Sequence, residues 1–139
     1  MDCIFCNIIK GKIPARKIMD TEKSLAFLDA FPLTKGHTLV IPKNHYSKIQ
    51  EMSKDDSVDL FESVRVLTNK IEQLFSPSLI AIHNGKESGQ EVPHVHVHII
   101  PRIIDDGAGA VHIMFRKRPH FTNDELDQIA EKLRIKIKA

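Results

Sequence analysis

The stretch His94-Val95-His96-Val97-His98-Ile99-Ile100-Pro101-Arg102 alternates imidazoles with aliphatic side chains before it turns wholly apolar. Successive side chains of a β-strand point to opposite faces. The pattern therefore predicts a strand with His94, His96 and His98 on one face and Val95, Val97 and Ile99 buried on the other. Imidazole donates, accepts or attacks near neutral pH, so a face given over to it points to chemistry. Two plainer readings compete: surface histidines on a half-solvated strand, and a metal-binding His-x-His pair. At ~3.3 Å per residue His94 and His98 start ~13 Å apart. One ion is not expected to take all three, which leaves at least one imidazole for another task.

Outward from this strand, Asn84 to Gln90 reads as a polar, glycine-containing loop and Leu79 to His83 as a strand. Val58, Phe61, Val64, Leu67, Ile71, Leu74 and Phe75 recur at helical spacing and predict one long helix. Ser53 and Asp56 form an imperfect capping box at its start, and Pro77 stops it. Thr38 to Ile41, Ser24 to Leu28 and Ile18 to Met19 read as strands, and residues 3 to 10 as a short apolar helix. Beyond Arg102, Ala110 to Arg116 is a candidate strand. Thr122 and Glu125 cap a closing amphipathic helix through Leu126, Ile129, Ala130 and Leu133. The order predicts an α+β fold: an antiparallel sheet of about five strands with the helices packed on one face, namely one long central helix and shorter N- and C-terminal helices. With 139 residues the chain is expected to be one domain over 1–139, with its motifs in 3–102 and a C-terminal extension over 103–139.

A formal net charge of +2, with acidic and basic residues interspersed, argues against nucleic acid as a partner, as do one Tyr and no Trp. Arg116-Lys117-Arg118 and the basic run from Arg134 to Lys138 read as solvated surface. No stretch approaches the ~20 apolar residues that a membrane span needs. Met1-Asp2-Cys3 has no signal-peptide character, so a cytoplasmic protein is expected. Both cysteines sit in Cys3-x-x-Cys6. A redox motif would need a preceding strand, for which there is no room, and zinc suits the pair better. Two thiolates are half a tetrahedral site, so the other ligands must come from the eight histidines; two reduced thiols without a metal are the alternative.

His-x-His-x-His-Ile-Ile-Pro-Arg resembles the signature of the histidine triad (HIT) family of nucleotide hydrolases and transferases. The likeness extends over roughly residues 3 to 102: Ile4-Phe5 through Ile13-Pro14-Ala15, Phe27-Leu28-Asp29-Ala30, His37-Thr38-Leu39-Val40-Ile41-Pro42-Lys43, Asn84-Gly85 and Gly89-Gln90. The Cys-x-x-Cys pair is similar to that of the zinc-containing, microbial-type branch. There the resemblance implies that His45 and His94 complete a closed, structural zinc site with Cys3 and Cys6. It also implies a homodimer with edge strands paired between subunits.

The resemblance implies that His96 is the nucleophile. It would attack the α-phosphorus of a purine nucleotide and form a nucleotidyl-imidazole that water resolves, releasing AMP or GMP; splitting one hard displacement into two easier ones is the gain. His98 would assist the leaving group, and His37 would orient its neighbours unless it is only a structural histidine. Asn84 and Gln90 are neutral donors suited to phosphate oxygens. Asp29, at the end of an apolar strand, can accept the ribose hydroxyls. Ile4, Phe5, Ile8, Phe27, Leu28 and Leu39 could sandwich the base or simply form core. Glu91 stands where many relatives carry Ser or Thr, and a carboxylate there is expected to point away from phosphate or to leave the contact to the backbone N–H. His83, His112 and His120 have no claim from spacing. The substrates so implied are nucleoside phosphoramidates, nucleotidyl esters or dinucleoside polyphosphates. Two other classes remain: a hydrolase with a catalytic His-x-His zinc, and a nucleotide-binding regulatory module without turnover.

Overall fold

Five short strands form one antiparallel sheet in the order β1-β2-β3-β5-β4, in a computed structural model that describes residues 2–136. The strands are β1 (Lys17–Asp20), β2 (Ser24–Leu28), β3 (Thr38–Pro42), β4 (Ser78–Ala81) and β5 (Val97–Pro101). Helix α1 (Ile4–Ile9) precedes them, α2 (Lys54–Leu74) joins the two halves of the sheet, and α3 (Asn123–Leu133) closes the chain. The expected α+β architecture, with about five antiparallel strands, is the one observed.

The chain falls into two compact units, Met1–Asp106 and Gly107–Ala139. In the first, period-2 alternation along the central strands splits the core in two. Ala26, Val40, Val97 and Ile99 turn toward α2 and pack with Leu60, Val64, Leu67 and Ile71. Leu25, Phe27, Leu39 and Ile41 turn to the other face and pack with Phe5 and Ile8 of α1. β5 lies between β3 and β4, with Leu39 and Ala81 both opposite His98. Arg102 closes this unit by donating from Nε to Asp106 at 2.5 Å.

The helices do not share one face of the sheet, as their order predicts, because alternation makes both faces apolar and α2 packs on one while α1 packs on the other. Three further expectations are corrected. Regular strand begins only at Val97. Pro93 is followed by a tight turn in which His94 N–H donates to Val92 O at 2.8 Å, while Val95 N–H donates to Tyr46 O at 2.7 Å. Second, the buried stripe of α2 runs through Leu60, Val64, Leu67 and Ile71; Val58, Phe61, Leu74 and Phe75 are exposed. The helical period was legible, but the stripe is rotated toward Leu60 because that line faces Val40 and Val97. Third, Ala110 to Arg116 is no strand: Val111–Met114 is a 3-10 turn with exposed side chains and no pairing strand among the described residues. In that second unit α3 starts at a full capping box: Glu125 N–H donates to Thr122 Oγ1, and Thr122 N–H donates to Glu125 Oε1.

Candidate active site

Two backbone groups fix the protons of His96, His37 and His98. His96 Nδ1 lies 2.7 Å from the carbonyl oxygen of His94. A carbonyl only accepts, so Nδ1 carries the hydrogen and Nε2 keeps its lone pair. Leu33 N–H donates to His37 Nδ1 at 3.1 Å, which puts the His37 hydrogen on Nε2. That hydrogen points at His98 Nδ1, 2.9 Å away. His98 Nδ1 is thereby an acceptor, and its hydrogen sits on Nε2. His96 thus offers a bare nitrogen and His98 an N–H, with ring centroids 5.1 Å apart.

Burial keeps this set neutral. His96 is 6% exposed and His37 1%, and desolvation lowers the pKa of both. For His37 this outweighs the pull of Asp29. Burial takes His98 down to about 4, with the neighbouring imidazoles pushing the same way.

His37, His96 and His98 line one cavity of about 530 Å³. Asp29 and all six apolar candidates line it too: Ile4, Phe5, Ile8, Phe27, Leu28 and Leu39. Phe5, Ile8, Phe27 and Leu39 also belong to the buried cluster beneath α1, so these four line the cavity and form core at once. The ring of Phe5 stands edge-on to His96 at 5.0 Å and to His94 at 5.8 Å. Asp29 Oδ1 accepts Phe31 N–H at 2.9 Å, and Oδ2 lies 3.6 Å from His37 Nε2, too long for a hydrogen bond.

Cys3, Cys6, His45 and His94 bring two sulfurs and two nitrogens to within 4.8 Å of one another. Cys3 Sγ is 3.5 Å from His94 Nδ1, Cys6 Sγ is 3.3 Å from His45 Nδ1 and 3.6 Å from His94 Nδ1, and the two Nδ1 atoms are 3.1 Å apart. Tetrahedral bonds of about 2.3 Å to sulfur and 2.0–2.1 Å to nitrogen place sulfur and nitrogen about 3.5 Å apart and the nitrogens about 3.3 Å apart. The donor set therefore fits a tetrahedral cation. His94 is 0% exposed, and its Nε2 donates to Pro42 O at 2.9 Å, so the tautomer leaves Nδ1 free to ligate. Burial lowers its pKa to about 4, and burial likewise raises that of Cys6, with Cys3 adding to the effect. His94 thus turns to the cysteines and does not line the cavity; the spacing of the three imidazoles predicts only that one ion does not take them all.

Other placements differ from the sequence reading. Asn84 and Gln90 do not line the cavity. Asn84 Oδ1 accepts Ile49 N–H and its Nδ2 donates to Gln50 Oε1, while Gln90 Oε1 accepts Gly85 N–H and its Nε2 donates to Ser47 O. Both amides brace the loop against the segment 47–50. Glu91, expected to point away, is on the cavity wall, and its charge is felt at His96. His83 was given no role, yet it lines the cavity with its ring 5.6 Å from that of His98. Gly89, at φ 106°, lies so close that a Cβ there would come within 3.2 Å of His83. A signal existed: His83 follows β4, the neighbour of β5.

The family model for the HIT domain matches residues 10–104. An uncharacterised HIT-like protein of Methanocaldococcus jannaschii is 47% identical over 106 residues, covering 76% of this chain and 82% of that protein. The adenosine 5'-monophosphoramidase of Schizosaccharomyces pombe is 45% identical over 104 residues, 73% of this chain and 75% of that protein. The crystal structure of a HIT family member from Bacillus subtilis superposes with a TM-score of 0.86 at 36% identity, covering 99% of this chain and 100% of that one. With the triad geometry, the sheet and these likenesses in agreement, the chain belongs to the HIT family.

Proposed function

We propose that the protein is a nucleotide hydrolase or nucleotidyl transferase that acts at the α-phosphorus of nucleoside phosphoramidates or dinucleoside polyphosphates and releases AMP or GMP. The observation that carries this reading is the pair of tautomers: a bare His96 Nε2 beside a His98 N–H at the wall of one cavity. Its S. pombe relative is named for the same chemistry on adenosine 5'-monophosphoramidate.

His96 Nε2 attacks phosphorus as the bond to the leaving group breaks, giving a phosphorus–nitrogen bond to His96. A departing amine takes the His98 Nε2 proton as it leaves, whereas a polyphosphate departs as its anion. Water then attacks the same phosphorus and His96 leaves with Nε2 bare again; one proton of that water restores His98 Nε2–H after amine departure and goes to solvent after polyphosphate departure. His98 Nε2–H stabilises the departing atom or a non-bridging oxygen where charge develops. The His37 relay ends at a backbone amide, which holds His98 in its donor tautomer and passes no proton of its own. Asp29 takes the ribose, and the apolar walls from Ile4, Phe5, Ile8, Phe27, Leu28 and Leu39 take the purine. Asn84 and Gln90 serve by shaping the loop between Gly85 and Glu91.

Cys3, Cys6, His45 and His94 are proposed to hold a structural zinc, as in the zinc-containing branch of the family. Zinc bound there supplies a cross-link between α1, the His45 loop and the triad segment. Two reduced thiols as ligands suit a cytoplasmic setting. We further propose a homodimer and a single HIT domain with a C-terminal extension, both on the resemblance. Among the described residues no helix is long and apolar enough to cross a membrane.

Intact-protein mass spectrometry after brief exposure to an adenosine phosphoramidate tests the reading. An AMP-sized adduct that accumulates in His98→Asn and is absent from His96→Gly is the expected result. Binding without an adduct or turnover would turn the reading to a non-catalytic module. Turnover that survives loss of His96 but not of zinc would turn it to a zinc hydrolase.

A further inference from the structure

His45 is an exposed residue on a loop, yet its Nδ1 faces that of His94 at 3.1 Å. Something must hold an exposed loop ligand in register with a buried one. The two residues that flank it show what does. Asn44 Nδ2 donates to Asp56 Oδ2 at 2.9 Å, and Tyr46 O–H donates to the same oxygen at 2.6 Å. One carboxylate oxygen therefore grips the chain on both sides of His45. Tyr46 is held a second time through its carbonyl, which accepts Val95 N–H from the residue after His94.

Asp56 is suited to the task. It is 4% exposed and sits in the first turn of α2, where its own N–H is taken by Ser53 Oγ at 3.1 Å and the positive helix end favours its charge. Its sequence position reads as half of a capping box, but α2 uses only the Ser53 half. The carboxylate that a capping box would turn back to Ser53 N–H is turned to the His45 loop instead.

We propose that Asp56 is the outer anchor of the Cys3–Cys6–His45–His94 centre, a positioning residue that sets His45 for metal binding through Asn44 and Tyr46. The proposal rests on the zinc reading given above. Hydrogen-bonded partners beyond the ligand shell typically govern about tenfold to a hundredfold in metal affinity. Here the control is exerted on the ligand's two sequence neighbours, Asn44 and Tyr46, and not on the imidazole itself.

The test is zinc affinity by chelator competition on the full chain, with cobalt(II) absorption as a report on ligand geometry. Asp56→Ala is expected to weaken zinc about tenfold to a hundredfold and to alter the cobalt bands. Asp56→Asn, which keeps an oxygen for both donors, should recover most of the affinity. Asp59→Ala is the comparison. It removes the acceptor of a different helix bond, from Thr21 Oγ1 at 2.6 Å, and should leave the metal unchanged. Tyr46→Phe removes the shorter tether with the carboxylate in place and decides the matter if Asp56→Ala does not fold. Zinc affinity within twofold of wild type in both Asp56→Ala and Tyr46→Phe, or an equal loss in Asp59→Ala, overturns the proposal. A wild-type chain that binds no zinc overturns the zinc reading itself, and the anchor with it.

Discussion

His37 Nε2 and His98 Nδ1 lie 2.9 Å apart, and the hydrogen between them belongs to His37 because Leu33 N–H occupies the other nitrogen. Replacing His37 by Phe keeps the buried ring and removes that hydrogen. His98 is then free to change tautomer and present an acceptor to the cavity. The expected outcome is a kcat about tenfold to a hundredfold lower on an adenosine phosphoramidate, below the loss from a missing general acid, with KM within about twofold. Steady-state kinetics decide it; an intact kcat with a raised KM would make His37 a binding residue.

The acid limb of stability should carry the signature of His98. Its pKa is 6.5 when solvated and about 4 in the fold. Between those values the unfolded chain holds a proton that the folded chain does not, so stability is full above about 6.5 and declines as pH falls toward 4. Urea unfolding midpoints at pH 7.5 and 5 should differ less in His98→Asn than in wild type. Equal differences in the two proteins would refute the burial argument.

Leu60 and Val58 separate the true core stripe of α2 from the one its spacing first indicates. Leu60 is 0% exposed and Val58 61%. Leu60→Ala should cost about 2–5 kcal/mol of unfolding free energy, and Val58→Ala about 0.5 kcal/mol or less. Chemical denaturation of the two variants measures both.

Glu91 lines the cavity and its charge acts on His96. A phosphate bound there meets like charge, weakened by the solvent that Glu91 also reaches. Glu91→Gln should therefore tighten AMP binding about threefold to tenfold, measured by calorimetry at low salt. Unchanged affinity would mean that the side chain swings clear when nucleotide binds.

Much of this was legible in the sequence, because alternation and helical spacing are local signals. The strands β2 and β3, helix α2, the capping box of α3 and the grouping of Cys3, Cys6, His45 and His94 all follow from short-range patterns or from the family motif. What could not be read has a common cause. The rotation of the α2 stripe toward Leu60 depends on which sheet residues it meets. The turn before Val97 depends on Tyr46 reaching Val95. Asn84 and Gln90 have the chemistry to meet phosphate, but the segment 47–50 claims their amides first. His83 reaches the site only because β4 pairs with β5. Each is a long-range pairing that spacing does not encode.

Phe5 lies between the two cysteines in the chain and touches both His94 and His96 with one ring. A metal at the cysteines and a nucleotide in the cavity would therefore each bear on this one side chain. Any coupling free energy between two ligands that share a wall must act equally in both directions. Whatever factor zinc adds to nucleotide affinity, nucleotide must add to zinc affinity. A cross-link that takes no part in chemistry would in this way set the occupancy of the site that does.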